Sequence, residues 1–319
     1  MKDFGIIIAT CRTDAHFAQA SYWSIRYFMG PSIPVCFIVD GDPQWLGKTI
    51  ENDTNVSFVT RATMENAWMR EHSFGWGTTK IISFYEAPFK RFLYMDADAM
   101  PFGDITKIRD DSMDMIADCG QTYSDKEINF WFFNTEKVEK IWPDFDWRAA
   151  SDKYFCPGTF WGRRELFALE NYQEKMNLAT QDPKLFNFGG DMGLFNLMIF
   201  HAAQKKEITV KSLDYQVIPV DNSDAVLREK YSPAAAMGKV DEPKVIHFCG
   251  RKPHIFTSSP KMTTMNYFRL RFLMEAEGLS LAHAVCRMSC QDFRYVCIPW
   301  LKRGLRKLKR VGKKFLKYT

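Results

Sequence analysis

The sequence contains no apolar run approaching the roughly 20 residues that a membrane-spanning helix needs, so none of its segments is expected to span a membrane. It has no C-x-x-C pair. Its eight cysteines (Cys11, Cys36, Cys119, Cys156, Cys249, Cys286, Cys290 and Cys297) are scattered along the chain, without the spacing of a zinc ribbon or a thioredoxin-type motif. Cys286 and Cys290 would share a helix face, but no His or Cys stands near them at zinc spacing. The run behind Met1-Lys2-Asp3-Phe4 is too short for a secretory h-region. The expectation is a cytoplasmic chain with reduced thiols. There is no long linker and no internal repeat. A phosphate loop is also missing. Gly41 and Gly47-Lys48-Thr49 are five residues apart where the pattern needs four, and Pro43 and Trp45 would spoil a cradle of backbone N–H groups.

What remains is an ordinary globular composition. The 319 residues are 46% hydrophobic and 25% charged, enough for a substantial core in one large domain or two modest ones. Aromatic residues reach 15%, so flat side chains are plentiful for packing and ring stacking.

The charge is unevenly placed. Residues 301–319 hold nine Lys or Arg and no acid, so the whole-chain net of +5 becomes −4 for residues 1–300. Leu301, Leu305, Leu308, Val311, Phe315 and Leu316 recur at spacings of three and four, which predicts a helix with an apolar stripe opposite its cations. Trp300 and Tyr318 bracket it. Such a helix suits the surface of an anionic membrane, giving peripheral association. A solvated cationic end and a nucleic-acid contact are the competing readings. Phosphate-backbone binding alone would not require the apolar stripe, which places nucleic acid last.

Strands are expected at 4–9, 35–39, 56–59 and 91–95, with helices over 16–29 and from Thr78 to Ala87, stopped by Pro88. Alternation of this kind implies an α/β fold with a mostly parallel sheet, whose ligands bind beyond the carboxyl ends of the strands. Further on, 130–133 and 244–248 read as strands, and 164–175 and 190–204 as helices. Residues 1–262 read as one domain and 263–319 as a helical extension.

Four constellations carry possible chemistry. Asp96-Ala97-Asp98 ends a strand, where residues i and i+2 point the same way, so both carboxylates can meet at one hard cation such as Mn²⁺ or Mg²⁺. Asp40-Gly41-Asp42 has the same context and is a rival, or a turn closed by Pro43. His247 could complete a carboxylate metal site, with Gly250 permitting close backbone approach and Arg251 and Lys252 neutralising a diphosphate; alternatively it is a structural histidine. Asp191 opens an apolar helix behind Gly189 and Gly190, as a helix-terminus residue or beside a ligand.

In this order, these segments resemble the glycogenin-like retaining glycosyltransferases, glycosyltransferase family eight, over roughly residues 4–260. The four blocks are TCRTDAHFAQA (10–20), the stretch from Thr79-Lys80 through RFLYMDADAMPFGDI (91–105), GGDMGLFN (189–196) and HFCGRKP (247–253). The resemblance implies a GT-A, Rossmann-like, mostly parallel mixed sheet flanked by helices, with a C-terminal helical extension. It also implies that Asp96, Asp98 and His247 hold Mn²⁺ (or Mg²⁺) on the diphosphate of a nucleotide sugar, leaving Asp40 and Asp42 as a turn. Thr10, Asp14 and His16 would lie at the nucleoside, Lys80 at the donor, Lys252 at the diphosphate, and Asp191 beside the anomeric carbon. Asp96, Gly158, Gly190 and Gly250 would line the donor site. His16 stands where the family has a base-stacking Tyr, Cys156 where it has Asn, and His254 where Trp is common. The basic tail is similar to that of family members that build bacterial lipopolysaccharide.

The function so implied is metal-dependent transfer of a hexose from a UDP-sugar, with retention, to a glycan or glycolipid acceptor. A sugar nucleotidyltransferase and a non-catalytic nucleotide-sugar-binding protein are the alternatives.

Overall fold

The structure is a computed structural model. It describes residues 1–298 except 76–77, 120, 188–189, 251 and 256–259. A seven-stranded sheet runs in the order β3-β2-β1-β4-β7-β6-β8 and a three-stranded sheet in the order β5-β10-β9. The strands are β1 (Lys2–Cys11), β2 (Val35–Asp40), β3 (Val56–Val59), β4 (Phe89–Asp96), β5 (Ala99–Phe102), β6 (Met115–Asp118), β7 (Thr159–Arg163), β8 (Val210–Leu213), β9 (Gln216–Val217) and β10 (Lys244–His247). In the large sheet only β7 runs against its neighbours. The expected mostly parallel mixed sheet is present.

The continuous apolar runs of β1 and β2 follow from burial on both faces. Ile6, Ile8, Phe37 and Val39 join one core, with helix α1 (Ala15–Met29). Ile7, Cys36 and Ile38 join the other, with residues of α3 (Asp191–Gln204) and partly buried side chains of α2 (Leu169–Gln181). Helix α1 also carries a polar stripe. Ser21 donates to the carbonyls of Ala97 and Ala99, at 3.0 and 2.5 Å, and Ser24 to that of Pro101 at 2.9 Å. These bonds clamp the helix to the chain where it passes from β4 to β5.

Three expectations are corrected. Residues 130–133 do not form a strand; Asp125–Trp131 is a short helix, and Phe133 makes only an isolated bridge to Phe186. A capping box explains this, with the Ser124 hydroxyl on the Glu127 amide and the Glu127 carboxylate on the Ser124 amide. The helix expected over 164–175 is α2, which starts only at Leu169; Glu165 lies before it with φ +52°. Between Thr78 and Pro88 the chain makes only a tight turn at Thr79–Ile81 and one helical turn at Ile82–Tyr85.

Helices α4 (Pro260–Arg271) and α5 (Leu281–Asp292) follow the sheets. Met265, Phe268, Ala284 and Met288 pack into the same core as α1. Arg269 and Asp292, 1% and 0% exposed at the side chain, form an ion pair of 2.8 Å between them. Asp292 also accepts the Ile255 amide at 2.6 Å. No helix among the described residues is long and apolar enough to cross a membrane. The expected surface helix at 301–319 lies outside the described residues.

Breaking a buried ion pair on one side leaves an uncompensated charge. Asp292→Ala is therefore expected to lower unfolding free energy by about 3–5 kcal/mol, measured by urea denaturation.

Candidate active site

The site forms where the chain changes sheets. Strand β4 ends at Asp96 in the large sheet and β5 begins at Ala99 in the small one. Asp96-Ala97-Asp98 is thus the seam between them. Two backbone bonds hold it: the Asp96 amide donates to Gly158 O at 2.8 Å, and the Phe248 amide to Asp98 O at 2.9 Å. Antiparallel pairing sets His247 opposite Ala99, which brings the imidazole to Asp98, with Nε2 3.7 Å from Oδ1.

Ligand atoms of Asp96, Asp98 and His247 all lie within 4.8 Å of one another. Two carboxylates and one imidazole are a donor set suited to a divalent cation such as Mn²⁺ or Mg²⁺. The imidazole is also oriented for it. His247 Nδ1 lies 2.9 Å from Gln216 Oε1, an acceptor, so Nδ1 carries hydrogen and Nε2 faces the carboxylates. Burial opposes charge on His247, yet the Cys156 sulfur and the carboxylates of Asp98 and Asp96 outweigh it and push its pKa up to about 9. A cation bound at Nε2 would have to displace that proton, so its binding should strengthen as pH rises.

The orienting group is itself anchored. Asp118, buried at the end of β6, accepts the amides of Tyr215 and Gln216 at 3.1 and 2.9 Å and the Gln216 side-chain amide at 3.4 Å. A chain of contacts thus runs from Asp118 through Gln216 to His247 and Asp98. Sequence reasoning missed Asp118 and Gln216. The rule that picks out strand-end carboxylates would have found Asp118, had Met115–Asp118 been read as a strand.

Two lysines offset part of the acids' charge. Lys80 Nζ lies 2.9 Å from Asp191 Oδ2 and 3.8 Å from Asp96 Oδ2. Burial disfavours its charge, but Asp96 and Asp191 outweigh this and raise its pKa above the ordinary lysine value. Lys252 pairs with Asp98; burial again opposes, and Asp98 prevails. Tyr94, two residues before Asp96 on the same strand face, donates its hydroxyl to Asp96 Oδ1 at 2.7 Å. Asp14 is pushed up by burial, partly offset by Lys252.

Seven of the expected site residues line one cavity of about 360 Å³: Thr10, Asp14, Lys80, Asp96, Asp98, Asp191 and Lys252. His247 lies buried beside Asp98. Gly158 backs the imidazole, since a Cβ there would fall 2.0 Å from the His247 ring. Gly190, at φ +95°, precedes α3 and so sets Asp191 at its first turn. Gly250 adopts φ +80° in the loop between His247 and Lys252. His16 does not line this cavity; its ring is 3% exposed and sits against Phe17. Of the rival pair, Asp42 caps a turn by accepting the Gln44 amide at 3.0 Å, while Asp40 reaches the cavity wall.

The architecture is the GT-A glycosyltransferase fold. Two solved structures illustrate the likeness. The galactosyltransferase LgtC, in complex with donor and acceptor sugar analogues, shares 16% identity at a TM-score of 0.50, over 86% of this chain and 96% of that one. The glycosyltransferase GlyE of Streptococcus pneumoniae shares 11% at a TM-score of 0.52, over 90% of this chain and 63% of that one. No family model and no curated protein matches the sequence. At these identities the likeness establishes the fold.

The Gln216 contact yields a prediction. Gln216→Leu keeps the volume but frees the imidazole, and is expected to weaken Mn²⁺ binding about 10–100-fold, measured by calorimetry, without unfolding the chain.

Proposed function

We propose that this protein is a metal-dependent retaining glycosyltransferase that moves a hexose from a UDP-sugar to a glycan or glycolipid acceptor in surface-polysaccharide or lipopolysaccharide synthesis. The observation that carries the reading is the meeting of Asp96, Asp98 and His247 beside a cavity that also holds Lys80, Asp191 and Lys252. The likeness in fold to LgtC, which was crystallised with donor and acceptor sugar analogues, supports it.

The residues divide the work by charge. Breaking a sugar–phosphate bond leaves negative charge on the diphosphate and positive character on the sugar. A divalent ion held by Asp96, Asp98 and His247 would neutralise the departing diphosphate. Lys252 is a cation on a glycine-flexed loop beside the same carboxylates, suited to the diphosphate as well. Thr10 and Asp14, where β1 passes into α1, stand at the nucleoside end. Asp191 faces the same cavity with Lys80 at 2.9 Å. That ion pair lowers its reactivity as a nucleophile and suits it to fixing Lys80 and facing the developing positive charge of the sugar. The acceptor hydroxyl can pass its proton to a phosphate oxygen, so no histidine base is required. His16 lies away from the cavity, which leaves base contact to other side chains.

Two experiments test the reading. Asp96→Asn with Asp98→Asn is expected to abolish Mn²⁺-dependent hydrolysis of UDP-hexoses, scored by UDP release; full turnover in that variant refutes the assignment, and pyrophosphate release from a nucleoside triphosphate would indicate a nucleotidyltransferase. Deleting 301–319 is expected to lower flotation with anionic liposomes while sparing turnover on a soluble acceptor, and unchanged flotation refutes the membrane role of the tail.

A further inference from the structure

A second cavity, of about 330 Å³, shares no lining residue with the first. Three arginines line it from separate elements: Arg12 from the turn between β1 and α1, Arg287 from α5, and Arg294 just beyond α5. Trp45 and Tyr295 also line it, with Arg12 5.5 Å from the centre of the Trp45 ring and Arg294 5.5 Å from that of Tyr295. Among the described residues, no acidic side chain lines the cavity. Among the described residues, Arg287 has a 3.8 Å contact with Glu277, and neither Arg12 nor Arg294 forms an ion pair.

His16 belongs to this cavity. Its ring is 3% exposed and stacks on Tyr295 at 5.8 Å, and among the described residues neither ring nitrogen has a hydrogen-bond partner. Three like charges with little compensation and an unsatisfied buried imidazole are costly unless an anion with acceptor oxygens completes them. Planar guanidinium forks fit phosphate oxygens in pairs. The volume lies within the range of small-molecule sites, about 300–1,000 Å³.

We propose that this cleft binds a phosphate ester, carried by a glycan or by a lipid headgroup, at a place separate from the central cavity. The site stands independently of the transferase reading.

The test uses the full chain in EDTA. Calorimetry with glucose 6-phosphate is expected to show binding that glucose lacks and that uridine does not displace. Arg287→Ala with Arg294→Ala is expected to weaken it about tenfold or more, since charged hydrogen bonds are being removed. An unchanged thermal midpoint certifies the fold, and Arg294→Gln alone serves if the double variant unfolds. Competition by soluble glycerol 1-phosphate and short-chain phosphatidylglycerol separates the sources. Displacement of glucose 6-phosphate by the short-chain lipid supports the site with a lipid headgroup, and displacement by glycerol 1-phosphate alone supports it with a glycan phosphate. Absent binding by the native chain, equal binding by the variant, or displacement by uridine overturns the proposal.

Discussion

The seam between the two sheets is the constraint on which the site rests. Only Ala97 separates Asp96 from Asp98, yet these residues answer to different sheets. Asp96 is held by pairing within the large sheet and by the Gly158 carbonyl, Asp98 by the Phe248 amide and the small sheet. Neither sheet alone would assemble the cluster. The hydroxyls of Ser21 and Ser24 on α1 satisfy the carbonyls that this crossing exposes, so the first helix of the chain stabilises the junction that carries the acids.

Charge balance accounts for the neighbours of the seam. Carboxylates at 14, 40, 96, 98 and 191 share one cavity with the ammonium groups of Lys80 and Lys252, which offset part of their charge. Self-repulsion among the acids would otherwise oppose folding, and burial magnifies every such interaction. The same arrangement serves a substrate bearing two phosphates, because cations already stand where negative charge would gather. Stability of the apo chain and recognition of an anion therefore draw on the same side chains.

Much of this was legible from residues with strong local signals. The β-branched runs at 4–9 and 35–39 specify buried strands because both faces of the central sheet are covered. Asp96 and Asp98 were legible because strand ends dictate side-chain direction. The aromatic run at 130–133 misled because its hydrophobicity says nothing of period, while Ser124 and Glu127 upstream determine the helix. Gln216 and Asp118 escaped notice because their role depends on pairing between strands distant in sequence: β9 is only two residues long and pairs with β10 about thirty positions later. His16 was assigned by position to the base, whereas packing on Phe17 and Tyr295 turns its ring toward a different cleft.

The pairing of Lys252 with Asp98 has a further consequence. The ammonium takes Oδ2 of that carboxylate while Oδ1 stays turned to His247 Nε2 at 3.7 Å, so a divalent ion held there would share Asp98 with Lys252. Gly250, at φ +80°, shapes the loop that carries this ammonium. Positive charge added at Asp98 would loosen the carboxylate's hold on Lys252 and leave more of its charge for a bound anion.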